Sequence, residues 1–130
     1  MEKRRYLGGT EVDLNGTGAK LNIAVPCKCR FVRFELLIRG SDANVANIAL
    51  DQVKSGSGTS AAALIVKPAA DESNKVLYDD TLRNVVYNPG DSFTVNVTAE
   101  SLNGATLAIP YLVVEEIPEE DANLSALVSA

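Results

Sequence analysis

A period-two alternation of apolar and polar residues most strongly constrains how this chain can fold. Across residues 92–99 every second residue is apolar, and the residues between are Ser, Asn or Thr. Residues 20–25 and 29–39 show the same spacing. Because successive side chains of a strand point to opposite faces of a sheet, this pattern predicts half-buried strands with one face in the core.

Turn sequences separate these stretches from further short apolar runs, at residues 47–53, 61–67, 76–78, 82–87 and 105–114. The clearest turn is 88–91, where Pro89 presets φ and Gly90 permits the positive φ of a type II turn. Asn103-Gly104 predicts a tight connection to the last strand. Pro110 within that strand indicates an edge position or a bulge, because Pro has no N–H to donate.

These patterns predict an all-β fold, an antiparallel β-sandwich or jelly roll of about seven to eight strands with extended N- and C-terminal arms. No amphipathic helix is expected before Pro118. The 130 residues, 46% of them hydrophobic, are enough for one domain with its own core. We divide the chain into an N-terminal arm and first strand (1–18), a β-sandwich domain (19–117) and an acidic, then apolar, tail (118–130).

The composition argues against catalysis and against a cofactor or metal. The chain has no His, which removes the commonest acid–base group and metal ligand. Cys27 and Cys29 are too few for a zinc site and are expected to be reduced, partly buried thiols, consistent with synthesis in a cytoplasm. No phosphate-binding loop or alternating acidic loop is present in the sequence. We therefore expect no enzyme activity and no small-molecule substrate.

Other partner classes are also disfavoured. The charged start of the chain lacks the apolar stretch of a secretory signal, and the apolar run 107–114 is too short to span a membrane. The net charge of −5 argues against nucleic acid. Residues 1–40 hold eight Lys or Arg against four Asp or Glu, whereas residues 41–130 hold four against thirteen. This asymmetry fits either solvated surface or arms that dock on oppositely charged neighbours.

Three regions are candidate protein contacts. One is the basic N-terminal region, with Lys3, Arg4, Arg5 and Tyr6. The second is one face of the 29–39 strand, where strict alternation places Phe31, Arg33, Leu37 and Arg39. A solvated strand would not normally carry Phe and Leu outward, so this face predicts a contact surface, although a covering loop explains it equally well.

The third candidate region is the C-terminal tail. Its contact residues are Glu119, Glu120, Leu124, Leu127 and Val128. The last three have the spacing of one helical turn, which would present them to a partner. A disordered tail is the alternative.

Residues 20–117, about three quarters of the chain, resemble the β-sandwich structural modules of tailed-phage virions. The resemblance lies in the order of the segments: Ala24-Val25-Pro26-Cys27-Lys28-Cys29, the long strand 30–38, a Gly/Ser/Asp loop, the strand through 48–50, the Pro89-Gly90-Asp91 turn into 92–97, and a closing strand after Asn103-Gly104. Head decoration (cement) proteins and some head or tail fibre domains are similar in this respect.

This resemblance implies a structural virion protein, made in the host cytoplasm and placed on the capsid exterior. It would bind the major capsid protein and itself, as a homotrimer, and stabilise the capsid lattice. A receptor- or carbohydrate-binding module of a phage fibre is the alternative, and predicts a pocket ringed by exposed Tyr78, Tyr87 or Tyr111. A monomeric host-side adaptor domain is a third possibility.

Overall fold

A computed structural model of the chain describes residues 3–39, 44–54, 59–67 and 75–118. Within these ranges the chain forms β-strands and no helix. The strands are β1 (Arg4–Gly8), β2 (Val12–Asp13), β3 (Gly18–Ala24), β4 (Cys29–Ile38), β5 (Ala46–Val53), β6 (Thr59–Lys67), β7 (Val76–Asp79), β8 (Val86–Tyr87), β9 (Ser92–Glu100) and β10 (Leu107–Glu116). Apart from β2 and β8, which have two residues each, these are the seven to eight strands expected from the sequence.

The strands form two antiparallel sheets that pack face to face. Sheet A has the order β1–β10–β4–β7, with β2 also paired to β10 and β8 to β4. Sheet B has the order β3–β9–β5–β6. The predicted antiparallel β-sandwich is therefore confirmed.

Branched aliphatic side chains from both sheets fill the space between them, around one aromatic cluster. Phe31, Tyr87 and Phe93 are at most 1% exposed, and the ring centroids of Tyr87 and Phe93 lie 4.8 Å apart. The Tyr87 hydroxyl donates a hydrogen bond to Oε1 of Gln52, so the buried phenol has a partner. Burial raises the pKa of Tyr87 to about 12.

The alternation in β9 is confirmed from Ser92 to Val97. Phe93, Val95 and Val97 lie in the core, while Thr94 and Asn96 point away from it and are only partly covered. Ala99, which the alternation also predicted to face inward, is exposed, because the register between β5 and β9 shifts between Val97 and Ala99.

In β4 the alternation is broken by a β-bulge, and one predicted contact residue is wrong as a result. Arg33 pairs with Val113 and Phe31 pairs with the next residue, Val114, so Val32 is an extra residue in the ladder. Such an insertion reverses the side on which preceding residues point. Phe31 consequently points into the core and is fully buried, instead of sharing a face with Arg33.

Pro110 does not lie at a sheet edge, because β10 runs between β4 and the β1–β2 pair. The Pro110 carbonyl accepts a hydrogen bond of 2.8 Å from the N–H of Gly9, in the break between β1 and β2. The nitrogen of a strand residue points to the same side as its carbonyl, so the missing N–H falls where the neighbouring strand is interrupted. The bulge of β4 lies opposite Val113 and Val114 of β10, beginning three residues beyond Pro110.

Both ends of the sandwich domain differ in detail from the expectation. The basic N-terminal residues are part of sheet A, because β1 pairs with β10 from Arg4↔Glu115 to Gly8↔Tyr111. Asn103-Gly104 does not close a hairpin, because it connects β9 of sheet B to β10 of sheet A. The tail residues from 119 onward, with all five predicted contact residues there, lie outside the described residues.

Candidate functional site

The two outward faces of the sandwich differ in chemistry. On sheet B the outer side chains form a polar network: Oγ1 of Thr94 donates to Oδ1 of Asn22 at 2.8 Å, and Nδ2 of Asn96 donates to Oδ2 of Asp51 at 3.2 Å. These groups satisfy one another and resemble ordinary solvated surface. Sheet A instead carries tyrosines and arginines outward beside aliphatic side chains, whereas the exposed aliphatic residues Leu64 and Val66 of sheet B lie on its edge strand β6.

We call this surface of sheet A the outer face. The register of the four main strands places its side chains in successive rows across the sheet. Its members are Arg4, Tyr6, Arg33, Glu35, Leu37, Val76, Tyr78, Ile109, Tyr111, Val113 and Glu115.

A row of tyrosines crosses the middle of the outer face. Tyr111 of β10 lies opposite Glu35 of β4, which in turn lies opposite Tyr78 of β7. Tyr6 packs edge-on against Tyr111, with ring centroids 6.2 Å apart, and is itself 54% exposed. Tyr78 is 63% exposed. Large amphipathic rings that remain this accessible are the side chains most enriched where proteins bind one another.

A glycine allows Tyr111 to occupy its position. Gly9 has a φ of +84°, and a Cβ there would lie 3.1 Å from Cε1 of Tyr111. Both the backbone conformation and the close ring contact therefore disfavour any other residue.

Next to the tyrosines lies an aliphatic row. Leu37 is paired with Ile109 on one side and with Val76 on the other. Val76 is 52% exposed, and Leu107 at the start of β10 is 37% exposed. This end of the outer face is thus apolar and open to solvent within the described structure.

Ion pairs hold the charged end of sheet A. Nη2 of Arg4 lies 3.1 Å from Oε1 of Glu115, and the hydrogen bond raises the pKa of Arg4. On the opposite side of the same two strands, Nε of Arg5 lies 2.8 Å from Oε2 of Glu116 and lowers the pKa of that carboxyl. These guanidinium groups are fixed in place while keeping exposed surface for further contacts.

No protein-family profile matches the chain, and no curated protein sequence matches it. Among solved structures, the chain is similar to an Eiger TNF from S. frugiperda, with a TM-score of 0.56 at 8% sequence identity. The alignment covers 90% of this chain and 93% of that one. The likeness is one of fold alone. It agrees with the antiparallel β-sandwich described above.

The structure brings part of the predicted contact set together. Arg4, Tyr6, Arg33 and Leu37 share the outer face. Arg39, one residue beyond β4, is exposed at the end of the same strand, where its Nε lies 3.9 Å from Oε2 of Glu11.

Three predicted contact residues lie elsewhere. Phe31 is in the core. Arg5 points to the other side of sheet A from Arg4, towards Glu116. Lys3 is exposed just before β1, and its carbonyl accepts a hydrogen bond from the N–H of Glu116.

The prediction of the contact surface did not include Val76, Tyr78, Ile109 and Tyr111, which also lie on the outer face. In the sequence, Tyr111 and Val113 alternate with the core residues Leu112 and Val114, so it could be predicted that they point to the same side of the strand. Their position beside β4 could not be predicted, because it depends on which strands pair.

Among the residues that the structure describes, the thiols and carboxylates form no metal-binding cluster. Neither cysteine forms a disulfide, and burial raises the pKa of the Cys29 thiol to about 11, which disfavours the reactive thiolate. Across residues 3–39, 44–54, 59–67 and 75–118, no cluster of three or more His, Cys, Asp or Glu is placed to hold a metal ion. In those same ranges no helix has the length and apolar character to cross a membrane.

Proposed function

We propose that this chain is a non-enzymatic structural protein that binds protein surfaces through the outer face of sheet A. In its specific form, the proposal is a virion decoration (cement) protein. Made in the host cytoplasm, it would assemble as a homotrimer on the capsid exterior and bind the major capsid protein. The observation that carries the proposal is the contrast between the tyrosine-rich outer face and the polar network on sheet B.

The composition of the outer face supports a protein partner. Protein interfaces are enriched in Tyr and Arg, which combine large contact area with fixed hydrogen-bond donors. The outer face has three Tyr and two Arg around an aliphatic row, and no Lys among its members. Its rings and ion pairs stand on paired strands, so little ordering is needed on binding.

The size of the outer face favours a lattice over an isolated dimer. The four strands β1, β10, β4 and β7 have five, ten, ten and four residues. At about 3.3 Å per residue and about 4.8 Å between strands, they give a footprint of roughly 460 Å². A stable standard interface buries about 800 Å² per partner. A contact of this size is therefore weak for one copy and becomes strong when several linked copies bind one shell.

The proposal is tested by co-sedimentation with expanded capsid shells of the virus that encodes the chain. Replacing Tyr6 and Tyr111 together by Ala removes the centre of the outer face, and loss of a central tyrosine costs about 2 kcal/mol or more, or about thirtyfold in affinity. The matched control is Leu64→Ala with Val66→Ala, which removes side chains that are 51% exposed on sheet B. The single variant Tyr6→Ala keeps Tyr111 in place, and so controls for a loss of packing caused by removing Tyr111.

We expect the wild type and the control variant to sediment with the shells, and the tyrosine variants to remain in the supernatant. Equal binding by all variants would place the contact elsewhere. Absence of any binding, combined with a monomeric mass in sedimentation velocity, would reject the decoration proposal.

A further inference from the structure

A groove lies on the outer face between β4, β7 and the turn that follows β7. Its volume is about 510 Å³, within the range of small-ligand sites. The groove is lined by Arg33, Glu35, Val76, Tyr78, Asp80 and Arg83. Two of these residues, Asp80 and Arg83, belong to the turn and form the rim away from the centre of the sheet.

Hydrogen bonds fix this rim. Oδ1 of Asp79 accepts the N–H of Thr81 at 2.9 Å and its hydroxyl at 2.6 Å. The N–H of Arg83 donates to the carbonyl of Asp80 at 2.9 Å, and the N–H of Asn84 donates to the carbonyl of Phe31 at 2.8 Å. The turn is thereby tied to both itself and β4. A ligand entering the groove meets walls that are already in place.

The charges of the groove balance. It contains two guanidinium groups, from Arg33 and Arg83, and two carboxylates, from Glu35 and Asp80. Arg33 and Glu35 also form an ion pair with each other. A phosphate would meet two carboxylates, and a cation would meet two guanidinium groups, so either charged ligand faces repulsion. An uncharged ligand with both hydroxyl donors and acceptors fits all four groups.

One wall of the groove is apolar. The ring of Tyr78 and the side chain of Val76 are 63% and 52% exposed, so both are available to a ligand. A ring with an exposed face packs well against the C–H face of a flat, partly apolar molecule. The ligand should therefore carry hydroxyl groups on its edge and C–H groups on its face.

A sugar ring has both properties. We infer that the groove binds a neutral saccharide, with Tyr78 as the platform under the ring and the Asp80, Arg83 and Glu35 side chains bonding to hydroxyls. This site goes beyond the proposed protein contact because its ligand is a small neutral saccharide, although Arg33, Glu35, Val76 and Tyr78 also belong to the outer face.

The test uses the full chain and nuclear magnetic resonance. The probes are the methyl glycosides of glucose, galactose and mannose, and free N-acetylglucosamine. Each is added at about 20 mM, because ligands of this size bind single sites with millimolar affinity. We expect at least one sugar to shift the backbone amides of residues 77–84 and to receive saturation transfer at its ring C–H protons.

Variants separate the groove from the rest of the outer face. Tyr78→Ala should weaken sugar binding at least about tenfold, and Arg83→Ala should weaken it independently. Tyr6→Ala is the matched control, because Tyr6 is similarly exposed on the same sheet but does not line the groove. Thermal unfolding of each variant establishes that the fold is kept.

Several results would overturn the inference. One is that inorganic phosphate or lysine amide shifts the backbone amides and sugars do not. Another is that Tyr6→Ala weakens sugar binding as much as Tyr78→Ala does. The third is that no sugar produces any response. If sugars have no effect while Tyr78→Ala releases the chain from capsid shells, the groove is part of the protein contact instead. Sugar binding with no shell binding would reject the proposed function and leave the saccharide site standing.

Discussion

Asp79 connects the two sheets at one corner of the sandwich. Its Oδ2 accepts a hydrogen bond of 2.8 Å from the N–H of Leu64 in β6, the edge strand of sheet B, while Oδ1 holds Thr81. Partial burial acts to raise the pKa of Asp79, but the hydrogen bonds from Leu64 and Thr81 outweigh it, so the pKa lies below its usual value. The carboxylate thus both covers an open strand edge and fixes the groove rim.

Replacing Asp79 by Ala should lower the free energy of unfolding by about 1–2 kcal/mol at neutral pH. A lowered folded-state pKa means that this stabilisation is complete above the unfolded value of about 3.9 and is lost as pH falls through the folded value. The difference between wild type and Asp79→Ala should therefore shrink in acid. Urea unfolding at about pH 7 and about pH 2.5 measures this.

Asp80→Ala is the matched control, because Asp80 is exposed and its carbonyl rather than its carboxylate closes the turn. This control should change stability by less than about 0.5 kcal/mol at either pH. A gap between wild type and Asp79→Ala that stays constant with pH would contradict the assigned role of the carboxylate.

At the scale of secondary-structure elements, the bulge in β4 decides which residues of the strand face outward. It moves Phe31 into the core while Arg33, Glu35 and Leu37 remain on the outer face. Without it, Phe31 and Leu37 would lie on the same side.

Alanine substitutions distinguish these arrangements. Phe31→Ala should destabilise the fold by about 3–5 kcal/mol, because it empties a fully buried aromatic site, whereas Leu37→Ala should cost about 1 kcal/mol or less. Thermal or urea unfolding of the two variants measures the difference. Similar costs for both would show that the two side chains share one environment and that the bulge is misplaced.

The strands themselves could be predicted from the sequence because burial in a half-exposed strand is a local property. In β3, and in β9 as far as Val97, the alternation alone identified the inward residues. The β4 bulge could not be predicted in this way, because a bulge is defined by how β4 pairs with β10. The adjacent apolar residues Phe31 and Val32 were its only local sign.

Sheet order and turns set a second limit on prediction. The pairing of Arg4 with Glu115 joins residues 111 positions apart, and period-two alternation carries no information about it. The apolar run 82–87 predicted a strand, but only Val86 and Tyr87 pair, because Asn84 adopts a positive φ of 76° in a turn. The groove depends on both the strand order and this turn, and could therefore not be predicted from the sequence.

The whole molecule combines a stiff interior with two unlike outward faces. Its core is formed of aliphatic and aromatic side chains from both sheets, with Tyr87 and Phe93 packed edge to face. Sheet B presents a polar hydrogen-bond network, with exposed Leu64 and Val66 on its edge strand, and sheet A presents tyrosines, arginines and an aliphatic row. On this account, the outer face of sheet A is the functional surface.

Tyrosine nitration of the chain, free and bound to capsid shells, tests that claim most directly. In the free chain Tyr6 and Tyr78 should react and the fully buried Tyr87 should not. On the shell, Tyr6 and Tyr78 should both become protected, because both lie on the outer face. Protection of neither residue in chains that remain bound would contradict the account.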